Sequence, residues 1–168
     1  MGLSRFVGLF SAAVWFGATL FLMLSVSSAL FSQDMKELLG AKNFPYFSVA
    51  IGQVIVVNYY RLFLACSVIS MVHLIAEWLY FGKSPHRLWL ALLVGLWVGG
   101  ASQMYAIQPR LNQFHRLQFT HPDPREREFA ARAYHVWKGT SEALNVILLA
   151  GLGVYLWGLS NPSDRHGS

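Results

Sequence analysis

The chain alternates long apolar runs with shorter polar connections, and four of the runs are long enough to form membrane-spanning helices. The first run, residues 6–31, contains 26 residues without a charge, whereas a helix needs about 20 residues to cross the hydrocarbon core. It is also longer than a signal-peptide core of about 7 to 15 residues, so we expect it to be a retained helix. Similar runs predict further helices over residues 46–81, 88–118 and 124–158.

The second run is too long for a simple span, and Asn58 and Arg61 interrupt it. We expect an interfacial or partly inserted helical portion up to about Tyr60, followed by a span from Leu62 to Phe81. The alternative is one long tilted helix over the whole run.

The only long polar segment, Pro109 to Tyr134, has the pattern of a helical hairpin. Asp123 is a suitable N-cap, Pro124 fits the first helical position, and Glu126 completes a capping box three residues after the cap. The predicted fold class is therefore all-α. It is a four-transmembrane-helix bundle in a single domain, residues 1–168, with extended cytoplasmic ends of helices 3 and 4 and a disordered tail at 161–168.

The composition supports a membrane protein and argues against a nucleic-acid partner. The chain is 55% hydrophobic and 12% charged, and a soluble domain carries about twice that charged fraction. The net charge of +5 comes from basic residues at the ends of apolar runs rather than on one exposed face, which is typical of membrane topology. The single cysteine, Cys66, allows neither an internal disulfide nor a CxxC site.

The distribution of Lys and Arg predicts an orientation. With four spans, the connections after the first and third spans lie on one side of the membrane. Nine of these residues fall on that side and four on the other side. By the positive-inside rule the segment 109–135 is cytoplasmic and both termini are outside, and we expect the location to be a bacterial cytoplasmic membrane. The nine residues are Lys36, Lys42, Arg61, Arg110, Arg116, Arg125, Arg127, Arg132 and Lys138.

Two of the predicted helices carry polar residues at helical spacing within apolar sequence. Offsets of three, four and seven residues place side chains on one face, and hydrocarbon tolerates such a stripe only where it faces protein or water. We therefore predict an intramembrane polar cluster that faces the neighbouring spans, with the Arg61 side chain reaching inward to Glu142. Its members are Arg61, His73, Glu77, His135, Lys138, Glu142 and Asn145.

Depths along the helices constrain what this cluster does. If Leu62 and Val136 lie at the same boundary, Glu142 is about 9 Å deep, His73 about 16 Å and Glu77 about 22 Å. The two carboxylates are then at different levels, which argues against a dicarboxylate metal site, and we predict no metal or other cofactor. In this frame His73 and Asn145 meet near the middle of the bilayer.

Three hypotheses account for the cluster. The first is a set of buried structural pairs, in which Arg61 or Lys138 neutralises Glu142 and His73 binds Glu77. The second is a polar path for protons or a small cation. The third uses His73 and His135 as axial haem ligands, although their estimated depths differ by more than about 10 Å.

The third predicted helix contains a stripe of small residues, Gly95, Gly99 and Ser102. Glycines four residues apart allow close approach of helix backbones, from which membrane helices gain packing energy. The stripe thus predicts a helix-packing surface, within the bundle or towards another subunit.

Short motifs along nearly the whole chain resemble a known family. They are Ala29-Leu30-Phe31, the stretch from Gly52 to Tyr59-Tyr60, Pro109-Arg110-Leu111, and Tyr134-His135 followed by Ser141 and Asn145. With these motifs the chain resembles the transmembrane protein 205-like family of small four-helix membrane proteins, a domain of unknown function. It departs from that pattern at Lys138 and Glu142. The resemblance implies an integral membrane protein with four helices and no established enzymatic role.

The sequence predicts a small integral membrane protein that is not an enzyme, since no nucleophile elbow, zinc-protease motif or phosphate loop is present. We expect a structural or accessory component in contact with the lipid bilayer, and either a homo-oligomer or a complex with another membrane subunit. The alternatives are a proton- or cation-coupled transport component and a haem-binding anchor subunit of a respiratory complex.

Overall fold

The structure, a computed structural model, describes residues 3–44, 46–81 and 87–160, without the side chains of residues 3–5, 77 and 81. Within these ranges all regular structure is helical, which confirms the prediction of an all-α fold. Four of the helices are long and apolar enough to cross a membrane.

The helices are numbered α1 to α5 in chain order. α1 has an α-helical part Leu3–Phe21, a π-helical part Leu22–Val26 and a last α-helical turn Ser27–Leu30. α2 is the short helix Gln33–Leu39, and α3 is Tyr46–Phe81. α4 comprises Arg87–Ser102, the π-helical Gln103–Ile107 and Gln108–Thr120, and α5 is Pro124–Ser160.

The four long helices begin and end within three residues of the predicted bounds. Of the two alternatives for the second run, the division near Tyr60 is wrong and one long helix is confirmed, because α3 continues without interruption from Tyr46 to Phe81. Asn58 does not end the helix, since its side-chain amide donates to the carbonyl oxygen of Val54 one turn earlier. The disordered tail predicted at 161–168 lies outside the described residues.

The long helices form a ring in which α1 packs on α3, α3 on α4, α4 on α5 and α5 on α1. Adjacent helices are antiparallel, because higher residue numbers on one helix contact lower residue numbers on its neighbour. On α1, for example, Thr19 meets Tyr59 and Gly8 meets His73. The centre of the ring holds aromatic and aliphatic side chains that are almost fully buried, which are Trp15, Tyr60, Phe63, Leu93, Leu152 and Tyr155.

Two local sequence features shape the ends of the bundle. Ser32 caps α2 by accepting a hydrogen bond from the amide of Met35, and α2 is a helix that the sequence pattern did not predict. Asp123 caps α5, because its Oδ1 accepts the amide of Arg125 at 2.9 Å. The ends of α4 and α5 then pack as a helical hairpin through the rings of Phe114 and Phe129.

The π-helical part of α4 ends two residues before Pro109. Proline has no amide hydrogen, and in a continuous α-helix its ring would collide with the carbonyl group of Tyr105. The wider turn accommodates this by placing the amide of Gln108 on the carbonyl oxygen of Gln103 instead. Gln103, the first residue of the wide turn, thereby points its side chain into the bundle, where it is fully buried.

Candidate functional site

Neutral polar side chains cross the bundle at about the middle of the long helices and connect three of them. Gln103 on α4 donates through Nε2 to the carbonyl oxygen of Ser141 at 2.8 Å and to Oδ1 of Asn145 at 3.2 Å. In return, the Ser141 hydroxyl donates to Oε1 of Gln103 at 2.9 Å. The Tyr60 hydroxyl on α3 donates to the same Asn145 oxygen at 2.8 Å.

A second pair ties α1 to α3 beside this network. The hydroxyl groups of Thr19 and Tyr59 are 2.9 Å apart, and Thr19 also donates to the carbonyl oxygen of Trp15 in its own helix. The rings of Tyr59 and Tyr60 contact each other with centroids 4.9 Å apart. We call the six residues the polar belt: Thr19, Tyr59, Tyr60, Gln103, Ser141 and Asn145.

The belt is uncharged, and this is a general property of the interior. Among the residues whose side chains the structure describes, no buried side chain belongs to Asp, Glu, Lys or Arg. Burying a neutral group that is hydrogen-bonded costs far less free energy than burying a charge. The belt therefore joins the helices without needing a buried ion pair.

Only Asn145 of the predicted stripe on the last helix reaches the belt. His135 is exposed, and the side chain of Glu142 is 66% exposed, so the prediction that these residues face inward is wrong. The buried face of α5 is centred on Ser141 and Leu148. At about 100° per residue, Glu142 lies roughly 100° around the helix from Ser141, beyond the edge of that face.

Of the two cations predicted to pair with Glu142, Arg61 and Lys138, the structure shows Lys138 as the partner. Its Nζ lies 3.7 Å from Oε1 of Glu142 one turn away on the same helix, and the Lys138 side chain is 43% exposed. Arg61 does not reach inward. It is exposed, and its guanidinium donates to Oδ1 of Asn58 on its own helix at 3.3 Å.

The depth frame based on Leu62 and Val136 is also wrong. Tyr60 lies level with Asn145, because the two side chains are hydrogen-bonded. Asn145 is nine residues beyond Val136 and Tyr60 is two residues before Leu62, so the frame displaced α3 along α5 by eleven residues, about 16 Å. The sliding of one helix along another is set by which buried side chains fit together, and helical periodicity carries no information on it.

His73 is buried far from Asn145, so the predicted contact between them is not formed. Its ring lies over Gly8 of α1, where an added Cβ would come within 2.7 Å of the ring. Glu77 lies on the same helix, but its side chain is outside the described part of the structure. The haem hypothesis needs His73 and His135 to face one space, whereas the first is buried against α1 and the second is exposed.

The residues of the predicted small-residue stripe do not all pack inside the bundle. Gly99 packs inside the bundle, since an added Cβ would come within 2.6 Å of Leu148 on α5. Gly95 has an open surface, with nothing within 4 Å of an added Cβ. Ser102 is half-buried. Gly100, which was not predicted, packs closely on the ring of Phe63.

His115, on the last part of α4, is almost fully buried. Its Nδ1 accepts from the Gln118 amide at 2.9 Å, and its Nε2 lies 3.2 Å from the carbonyl oxygen of Tyr46. The imidazole stacks on the Tyr46 ring with centroids 5.2 Å apart. His115 thus joins the first turn of α3 to the base of the hairpin. The signal available in the sequence was its spacing of four residues from Leu111, which is also buried.

Comparisons of the chain with protein-family models, with curated proteins and with solved structures found no match.

Proposed function

We propose that the chain is an integral membrane protein that acts without catalysis, as a structural or accessory component of a membrane assembly. The observation that carries this proposal is the polar belt. Its hydroxyl and amide groups bond to one another across α3, α4 and α5, so they hold the helices together instead of being available to a substrate.

Membrane insertion is supported by the apolar surface of the four long helices. In their most apolar windows only 28–35% of the residues are buried inside the chain. The rest of each window faces outward, where acyl chains or another subunit would cover it. The excess of Lys and Arg on the hairpin side supports an orientation with the hairpin in the cytoplasm.

Reconstitution into vesicles tests the proposal against the transport alternative. We expect vesicles that contain the wild type, Glu77→Gln or Glu142→Gln to show the proton and potassium flux of protein-free vesicles. Flux through the wild type that either substitution lowers would contradict the proposal and favour a transport component.

Cross-linking in native membranes tests the accessory role. The 18.9 kDa chain is expected to form larger species, through exposed amines such as Lys36 and Lys42, at its native expression level. A chain that remains monomeric at every cross-linker concentration would argue against membership of an assembly.

A further inference from the structure

The hydrogen bond between Tyr60 and Asn145 fixes which charged residues share a level. Arg61 follows Tyr60 directly, and Glu142 lies one turn before Asn145. At 1.5 Å of rise per residue these two charged positions are within about 6 Å of the same level. Both side chains are exposed, although α3 and α5 stand on opposite sides of the ring.

The apolar lengths beyond this level match a bilayer. From Arg61 to the end of α3 at Phe81 there are 20 residues, and from Glu142 to the end of α5 at Ser160 there are 18. These correspond to about 30 Å and 27 Å of helix, close to the hydrocarbon thickness of about 30 Å. Between Arg61 and Phe81 and between Glu142 and Ser160, the sequence contains one charged residue, Glu77, which lies one turn from the far end of α3. On α3 and α5, Arg61 and Glu142 therefore mark one boundary of the hydrocarbon.

Two further cations lie just outside this boundary, and each contacts an aromatic ring. The guanidinium of Arg110 lies 4.9 Å from the centroid of the Trp137 ring, and Nζ of Lys138 lies 5.3 Å from that of Phe31. Trp137 is five residues before Glu142, about 7.5 Å along the helix. That distance is the depth of the headgroup layer, where Trp rings and cationic side chains are favoured.

We propose that Arg61, Arg110 and Lys138 form a basic girdle that binds the phosphate groups of anionic phospholipids in the adjacent leaflet. The inference rests on the membrane assignment proposed above. Three cations against the single carboxylate of Glu142 leave the girdle positive. The aromatic rings hold Arg110 and Lys138 in place while their outer sides stay exposed to the headgroups. Each cation near an anionic surface strengthens binding severalfold.

The tip of the hairpin offers a matched control. Arg125 and Arg127 are exposed, and neither forms an ion pair with a described residue. They lie about 18 Å beyond Lys138 along α5, which is more than twice the Debye length of about 8 Å. Removing these two charges changes the net charge as much as removing Arg110 and Lys138 does. The charges removed in the control, however, lie far from the headgroups.

The test is a titration of the purified full-length protein in a neutral detergent with dioctanoyl phosphatidylglycerol, dioctanoyl phosphatidylcholine or inorganic phosphate. Binding is followed by fluorescence, to which Trp137 beneath Arg110 contributes. We expect saturable binding of phosphatidylglycerol that is roughly 10- to 30-fold weaker in Arg110→Gln/Lys138→Gln. The control Arg125→Gln/Arg127→Gln is expected to bind within about twofold of the wild type.

Equal binding of both lipids, equal loss in the two double variants, or phosphate competing as well as the lipid would each overturn the girdle. If Arg110→Gln/Lys138→Gln does not fold, the salt dependence of lipid binding by the wild type replaces it as the test. The preference of the wild type for phosphatidylglycerol is expected to weaken between 50 and 500 mM salt, and a constant preference overturns the proposal. Alkaline extraction of membranes is done first. A chain released by alkali fails the membrane assignment, whereas an integrated chain without lipid preference fails only the girdle.

Discussion

At the scale of single residues, the position of a polar group around its helix decides its role. Ser141 and Glu142 are neighbours in sequence, yet the hydroxyl of Ser141 is buried in the belt and the carboxylate of Glu142 is exposed. The exposed carboxylate remains solvated beside Lys138, and such surface pairs contribute little to stability. The stabilising polar contacts are those made by Tyr60, Gln103 and Asn145.

The belt can be measured with a double-mutant cycle. Tyr60→Phe removes the hydroxyl that donates to Asn145, and Asn145→Ala removes the acceptor. For hydrogen bonds between membrane helices we expect a coupling of about 0.6 to 1.7 kcal/mol in unfolding from detergent micelles. Tyr105→Phe is the control, because Tyr105 is 70% exposed, and it should not change stability. A coupling of zero between Tyr60 and Asn145 would show that the belt does not join α3 to α5.

At the scale of elements, glycines set how closely the helices approach one another. Gly158 of α5 lies directly against the indole of Trp89 on α4, so an added Cβ would collide with the ring. Gly95, also on α4, faces open space. One glycine is therefore required by the packing of the chain, and the other is not.

This difference predicts opposite effects of the same substitution. Gly158→Ala should destabilise the protein by about 1 to 3 kcal/mol, because the Trp89 ring must move. Gly95→Ala should be neutral or stabilising, since alanine is the better helix former. Thermal unfolding in detergent compares the two variants. A large loss of stability in Gly95→Ala would instead indicate that its open surface is covered by another subunit.

At the scale of the whole molecule, the charge distribution predicts how the bundle is oriented. In a Cys66→Ser background, single cysteines at Thr120 and Ser160 mark the hairpin and the far end of α5, and both positions are exposed. An impermeant maleimide should label Ser160→Cys in intact bacterial spheroplasts. It should label Thr120→Cys only after permeabilisation. The reverse pattern would place the hairpin outside the cell and remove the cytoplasmic leaflet as the girdle's partner.

The type and extent of the four long helices were predictable from the sequence, because they depend on local properties, whereas the short helix α2 was not predicted. Charge-free runs and the cap at Asp123 place the ends of the long helices within three residues of those observed. A break near Tyr60, one of the two alternatives for the second run, does not occur, since Asn58 and Arg61 satisfy their polar groups on the surface of one continuous helix.

Only the tertiary structure decided which polar residues face one another. The predicted polar stripe of α5 and its buried face are less than a third of a turn apart around the helix. Gln103 and Ser141 are neutral residues that do not stand out in an apolar sequence. Their roles depend on the rotation of each helix and on its sliding along its neighbours. Both follow from the close packing of side chains such as Phe63 against Gly100 and His73 against Gly8, which are contacts between residues distant in sequence.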